Sequence, residues 1–269
     1  MIDSIFETEL SKKVAQKIGR AISDFSMIRE GDRILVGTSG GKDSNLLMYA
    51  LRRLKSISPV RFGLVAAVID PTESCDLAML SDYARSLTID LEIVRHPIFE
   101  ILDSSPDKPA CSLCANLRRG ILASAAKRLG CNVLALGHHR DDAVETVFMN
   151  LIYSGRFACF HPHLYMSRSG MRVIRPMVYL PEREIVSEAK RLGLPLIDFG
   201  CRHAGSSSRA LMKAKVGELS LVAKDAPGNV IHALRKGRAP GTWGQMCEMG
   251  DANGDEEIQA YKEANDDFR

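Results

Sequence analysis

Apolar residues recur at three- and four-residue steps through Ile5, Leu10, Val14, Ile18, Ile22 and Phe25, which predicts an amphipathic helix within residues 3–26. Gly31-Asp32 then turns the chain into a short apolar run near 33–37. Further β-branched runs at Phe62–Ile69, Leu91–Val94 and Val133–Leu136, with a weaker one at Leu194–Ile197, read as strands. Helical patterns separate them at about 43–56, 74–87, 112–129, 140–153 and 181–192. Near-continuous apolar strands alternating with helices predict an α/β fold, a doubly wound parallel five-stranded sheet covered on both faces. Such sheets bind ligands beyond the strand carboxyl ends, where Ser39–Ser44, Asp70 and Gly137-His138 are expected. Residues 155–172, containing His161-Pro162-His163, read as a loop or lid. Beyond Phe199 the sheet pattern stops, and 206–236 reads as two basic helices broken at Pro227-Gly228.

The junction between the first strand and its helix carries the strongest chemical signal. Ile34-Leu35-Val36-Gly37-Thr38-Ser39-Gly40-Gly41-Lys42-Asp43-Ser44 runs an apolar strand into a small-residue loop and then into Leu46, Leu47, Tyr49, Ala50, Leu51 and Leu54. The first amides of such a helix lack intrahelical partners, and the glycines let phosphate oxygens approach the backbone. Ser39 and Ser44 add hydroxyl donors, Lys42 a cation, and Asp43 a carboxylate able to hold magnesium against the phosphates. A Walker A loop would need glycine in place of Val36 and Ser or Thr in place of Asp43, and GxGxxG is absent. The run resembles the SGGxDS signature of the PP-loop ATP pyrophosphatases. That resemblance implies cleavage of ATP between its α and β phosphates and adenylation of a substrate oxygen.

Composition narrows the setting. A chain of 269 residues, 45% hydrophobic and 26% charged, suits a well-cored soluble protein. No run approaches a membrane span and no secretory segment opens the chain, so a cytoplasmic location is expected. The net charge of +3 hides an asymmetry. Val186–Pro240 holds ten Lys/Arg against four Asp/Glu, whereas Gly241–Arg269 holds two against eight. The first stretch suits an RNA-facing surface and the second a solvated, mobile tail, with Trp243 docking its start. The expected divisions are an N-terminal helical segment (1–30), an ATP-binding domain (31–200), a basic helical extension (201–240) and an acidic tail (241–269).

Seven cysteines in such a chain suggest metal, cluster or redox chemistry. Cys111 and Cys114, three apart at a predicted helix start, share a face near backbone amides that favour thiolates. A lone CxxC suits a metal, a cluster or a redox pair. Cys131 and Cys159 sit near apolar stretches and read as small core residues. Cys201 follows the weak run at Leu194–Ile197 and would emerge on the ligand side of the sheet, as would the loop carrying Cys111.

A wider pattern then emerges. Asp24–Asp32, the phosphate loop, Cys111-Ser112-Leu113-Cys114 with Leu117-Arg118-Arg119-Gly120, Leu136-Gly137-His138-His139-Arg140-Asp141-Asp142, Ile174-Arg175-Pro176 and Pro195-Leu196-Ile197 occur in order. Over roughly residues 10–240 this resembles the tRNA 2-thiocytidine synthetase family. The resemblance implies a [4Fe-4S] cluster on three cysteines with one iron open for sulfide. It also implies ATP with Mg²⁺, replacement of the C2 oxygen of cytidine 32 in tRNA by sulfur, a persulfide or sulfide source such as a cysteine desulfurase, and a homodimer. Cys111 and Cys114 match the first two ligands. The family's second CxxC with Gly-Ser-Gln is here Phe199-Gly200-Cys201-Arg202-His203-Ala204-Gly205-Ser206, leaving Cys201 as the third. Gly137 and His138 would border the adenylate, and Asp141 or Asp142 would face the reacting base or magnesium. A helix N-terminus capped by Asp141 is the plainer alternative. Arg118 and Arg119 would meet RNA phosphates or face solvent. The altered 199–206 segment keeps open a different tRNA position or a small sulfur compound as acceptor. A non-catalytic ATP- and redox-responsive binding protein is a third possibility, which the intact Ser39–Ser44 loop disfavours.

Overall fold

Residues alternating along each central strand face opposite sides of one sheet, and both sides are buried. In the computed structural model, Ile34 and Val36 of β1 (Arg33–Thr38) pack into one core and Leu35 into another. Ala66 and Val68 of β2 (Gly63–Asp70) alternate in the same way with Val65, Ala67 and Ile69. So do Val133 and Ala135 of β4 (Val133–Ala135) with Leu134. The structure describes residues 9–244 apart from 74, 106, 108, 109, 168, 198, 200–207 and 238–240.

The strand order is β3-β2-β1-β4-β6-β5, with β3 at Leu91–Arg95, β5 at His163–Met166 and β6 at Met171–Ile174. Every neighbouring pair is parallel except β5 with β6. The larger core gathers α1 (Lys12–Asp24), α2 (Lys42–Ile57), α3 (Ala78–Ser86), α6 (Arg140–Ser154), α7 (Glu182–Arg191), α8 (Ser208–Val222) and α9 (Ala226–Lys236). The opposite core is covered by α4 (Ile98–Asp103) and α5 (Ala110–Arg128). The predicted doubly wound α/β architecture is therefore present.

Three details correct the sequence reading. The sheet has six strands, and its fifth parallel member is β6 rather than Leu194–Ile197. That apolar run bonds to the phosphate loop instead: Ile197 N donates to Gly40 O (3.0 Å), and Pro195 O accepts from Asn45 Nδ2 (2.7 Å). Second, the stretch read as a loop or lid over 155–172 is loop only to 162; beyond it the β5–β6 hairpin extends the sheet, and His163 Nδ1 lies 2.9 Å from Phe25 O. Third, Pro227-Gly228 sits in the first turn of α9, where a missing N–H costs nothing, and the helical break falls at 223–225.

Candidate nucleotide and thiolate site

The loop after β1 is held in shape by its own buried polar groups. The Thr38 hydroxyl lies 3.1 Å from both Ser44 Oγ and Asn45 Oδ1 and accepts from Gly40 N–H (3.2 Å). Ser44 Oγ accepts from Ser39 N–H (3.1 Å) and donates to Gly41 O (3.0 Å), so this hydroxyl braces the loop from inside. Asn45 Nδ2 ties Gly40 O to Pro195 O. Gly40 has φ +70°, and a Cβ there would stand 2.8 Å from Ile197 Cβ; conformation and crowding both require glycine. Gly41 is the N-cap of α2, with no side-chain cap over its first amides. The result is a preformed helix N-terminus behind a glycine turn, the geometry that binds phosphate.

Charge is arranged around this opening. Lys42 Nζ lies 3.1 Å from Asp43 Oδ2 and 3.0 Å from Glu182 Oε1. Burial works against the ammonium, yet these two carboxylates outweigh it and hold its pKa above the usual lysine value. Glu182 Oε1 also accepts from Lys213 Nζ (2.6 Å). Burial would raise the Glu182 pKa, but the bonds to Lys213 and Lys42 hold it down at about 2. Asp43 Oδ1 is buried and without a hydrogen-bond partner, with His139 Nε2 3.8 Å away.

The segment after β4 closes the other wall. A Cβ on Gly137 would fall 3.2 Å from the Asp43 carbonyl carbon and 3.2 Å from Ser44 N, so this glycine lets β4 rest against the start of α2. The His138 ring stacks on Phe160 (centroids 5.0 Å apart), and its Nδ1 is buried without a partner. Burial, then the Arg175 charge, pushes its pKa well down, keeping the imidazole neutral. His139 and Asp142 form a reciprocal capping box at the start of α6 (His139 N to Asp142 Oδ2, 2.9 Å). Asp141 caps a different helix, accepting from Glu182 N (2.6 Å) at the start of α7. One turn along α6, Glu145 is 3% exposed, with Arg209 Nε 4.0 Å away. Burial, then repulsion from Asp142, raises its pKa to about 7.

Cys111 and Cys114 lie in the first turns of α5, the former exposed and the latter half-buried against the smaller core. Arg118 Nε donates to Cys114 Sγ (3.3 Å). Cys131 and Cys159 are buried, as their apolar surroundings predict. Cys75 is engaged near Asp70: its N–H donates to Asp70 Oδ2 (3.2 Å), and its Sγ lies 3.2 Å from Thr72 Oγ1. Cys201, His203 and Cys247 lie outside the described residues.

Comparison with known proteins decides the family. A PP-loop domain model matches residues 10–214. The tRNA-cytidine(32) 2-sulfurtransferase of Syntrophotalea carbinolica is 41% identical over 231 residues, covering 83% of this chain and 87% of that protein. The chain belongs to this family of PP-loop enzymes. The member from Pelobacter propionicus is 38% identical over 85% of this chain and 87% of its own, and that of Alkalilimnicola ehrlichii 39% over 84% and 73%. In fold, the chain is similar to the U34-tRNA thiolase NcsA of Methanococcus maripaludis, solved with its [4Fe-4S] cluster (TM-score 0.69, 21% identity, 90% of this chain and 80% of that one).

The donor groups fit what members of a 2-sulfurtransferase family would hold. Asp43 Oδ1, buried and unpartnered, is the kind of oxygen a divalent cation satisfies. Cys111 and Cys114 are free thiols that could supply two soft ligands. Among the described residues no group of three or more His, Cys, Asp or Glu is placed to hold a metal ion. Sequence reasoning missed Glu182, Glu145 and Arg209 as members of this charged cluster. Glu182 follows Pro181 at a helix start, where an acidic residue reads as ordinary capping.

Proposed function

We propose that this enzyme is an ATP-dependent tRNA thiolase that replaces the C2 oxygen of cytidine 32 with sulfur. The observation that carries the reading is convergence. The phosphate loop follows β1 and α5 opens after β3, so nucleotide and thiolate sites share the carboxyl end of one parallel sheet. Ser39–Ser44 cradles the triphosphate, Lys42 neutralises it, Asp43 holds Mg²⁺, and Gly137 and His138 border the adenylate. The C2 oxygen attacks the α-phosphorus and pyrophosphate leaves; sulfide then attacks C2, and AMP departs with the original oxygen. Cys111, Cys114 and Cys201 would hold a [4Fe-4S] cluster, which would supply an open iron for sulfide. The protein's part is alignment and charge neutralisation in a site shaped beforehand.

The neutral His138 offers an uncharged hydrogen-bonding edge to the nucleotide, and Asp142, already capping α6, faces the base. The basic stretch over 201–240 meets tRNA. A cytoplasmic homodimer supplied by a cysteine desulfurase completes the picture; among the described residues, no helix is long and apolar enough to cross a membrane.

The test is anaerobic reconstitution followed by incubation with ATP, a sulfur source and tRNA from a strain lacking this gene. Release of AMP and pyrophosphate with appearance of 2-thiocytidine is the expected result. Unchanged nucleosides, with pyrophosphate release driven by a small acceptor instead, would favour the other reading that the altered 199–206 segment leaves open. No AMP with any acceptor would make the protein a binding module.

A further inference from the structure

We propose that Glu182 is a positioning residue for ATP, acting through Lys42. The argument rests on the reading that the 39–44 loop binds the triphosphate. An ammonium has three N–H donors, and two of those on Lys42 are committed, one to Asp43 Oδ2 (3.1 Å) and one to Glu182 Oε1 (3.0 Å). That fixes a long, otherwise flexible side chain in one place with its third N–H left for phosphate. The two carboxylates are unequal holders. Asp43 is the neighbour of Lys42 in sequence, and a divalent cation on its other oxygen would draw its charge away. Glu182 comes from a different helix and is itself fixed from two directions. Its backbone N–H donates to Asp141 Oδ2 (2.6 Å), and its Oε1 accepts from Lys213 Nζ (2.6 Å) of α8. Once Asp43 is engaged by a cation, Glu182 is the remaining charge that keeps Lys42 over the loop.

Binding of α,β-methylene-ATP with Mg²⁺, measured by calorimetry, separates this role from helix capping. E182Q keeps the side-chain shape and the start of α7, and is expected to weaken binding about tenfold. The KM for ATP should rise by a similar factor, with kcat at saturating ATP changed far less. In a K42A background, E182Q should add nothing further. K213A removes one of the two supports of Glu182 but leaves its charge, and should weaken ATP binding less than E182Q does. E184Q breaks the pairs to Lys13 and Lys17 and should lower stability without weakening binding. If E182Q fails to fold, E182D keeps the charge on a side chain one carbon shorter, and an intermediate loss is expected. Wild-type affinity in E182Q or E182D, additive losses in the double variant, or an equal loss in K213A would each overturn the proposal. Absence of binding by the wild-type protein would instead overturn the nucleotide reading on which it rests.

Discussion

Gly137 and Asp43 touch backbone to backbone: a methyl group on Gly137 would stand 3.2 Å from the Asp43 carbonyl carbon. The end of β4 and the first turn of α2 are therefore fitted to one another with no room for a side chain. Neither partner can yield by turning a rotamer, since the crowded atoms are main chain. Gly137→Ala is expected to cost about 1–3 kcal/mol in a chemical denaturation series, the range for overpacking a tight site. It should also weaken nucleotide binding by prising the phosphate loop from its far wall. A variant with unaltered stability and unaltered ATP affinity would show that this contact relaxes freely.

Asp43→Asn removes the negative charge of a half-buried side chain while keeping size and the partner oxygen for Lys42. Its Oδ1 has no hydrogen bond, so the substitution breaks none at that atom. The fold should hold, with a melting temperature close to that of the parent. The divalent-cation requirement should move to much higher concentrations, read as the Mg²⁺ dependence of pyrophosphate release. An unchanged Mg²⁺ curve would remove Asp43 from the cation site.

Glu145 makes stability depend on pH in an unusual direction. Its carboxyl is raised from the 4.5 of an unperturbed glutamic acid to about 7 in the fold, so ionisation is resisted by the native state. Below about pH 4.5 the group is protonated in folded and unfolded chains alike, and the penalty is absent. It grows between pH 4.5 and 7 and is complete above 7, where a shift of this size is worth at most about 3 kcal/mol. Glu145→Gln should therefore raise the melting temperature at pH 8, by about 5 °C, with the gain vanishing near pH 5. A gain that is the same at both pH values would assign the effect to packing rather than to charge.

Cys201 is the sharpest point of the thiolate assignment. Cys201→Ser should lose most of the brown chromophore and all thiolation while still binding ATP, because the phosphate loop lies on separate backbone. Cys131→Ser and Cys159→Ser should keep the cluster, both residues being buried in the cores. Iron content and absorbance after anaerobic reconstitution decide the matter. Full iron in Cys201→Ser, with loss in Cys75→Ser or Cys247→Ser, would redraw the ligand set.

The phosphate loop was legible in the sequence because its signal is local: an apolar strand, three glycines and a helix start within eleven residues. The β5–β6 hairpin was not, because four-residue strands flanked by His161-Pro162 and Gly170 carry too little periodicity. Leu194–Ile197 misled for the opposite reason, having the composition of a strand while its backbone serves Gly40 and Asn45. Of the site, the loop, Gly137-His138 and the cysteine pair were visible as motifs. Glu182, Glu145 and Arg209 belong to it through packing of α6, α7 and α8, which no spacing along the chain encodes.

Trp243 sits at the close of the described chain yet is fully buried, its indole N–H on Phe160 O (3.1 Å) and its ring edge-on to Phe25 at the end of α1. During synthesis, then, the core around α1 cannot seal until Trp243 has been made, so closure is a late event on the ribosome. As the sole tryptophan, it is also a native optical reporter of that seal. Its emission should stay blue-shifted until α1 and α9 part.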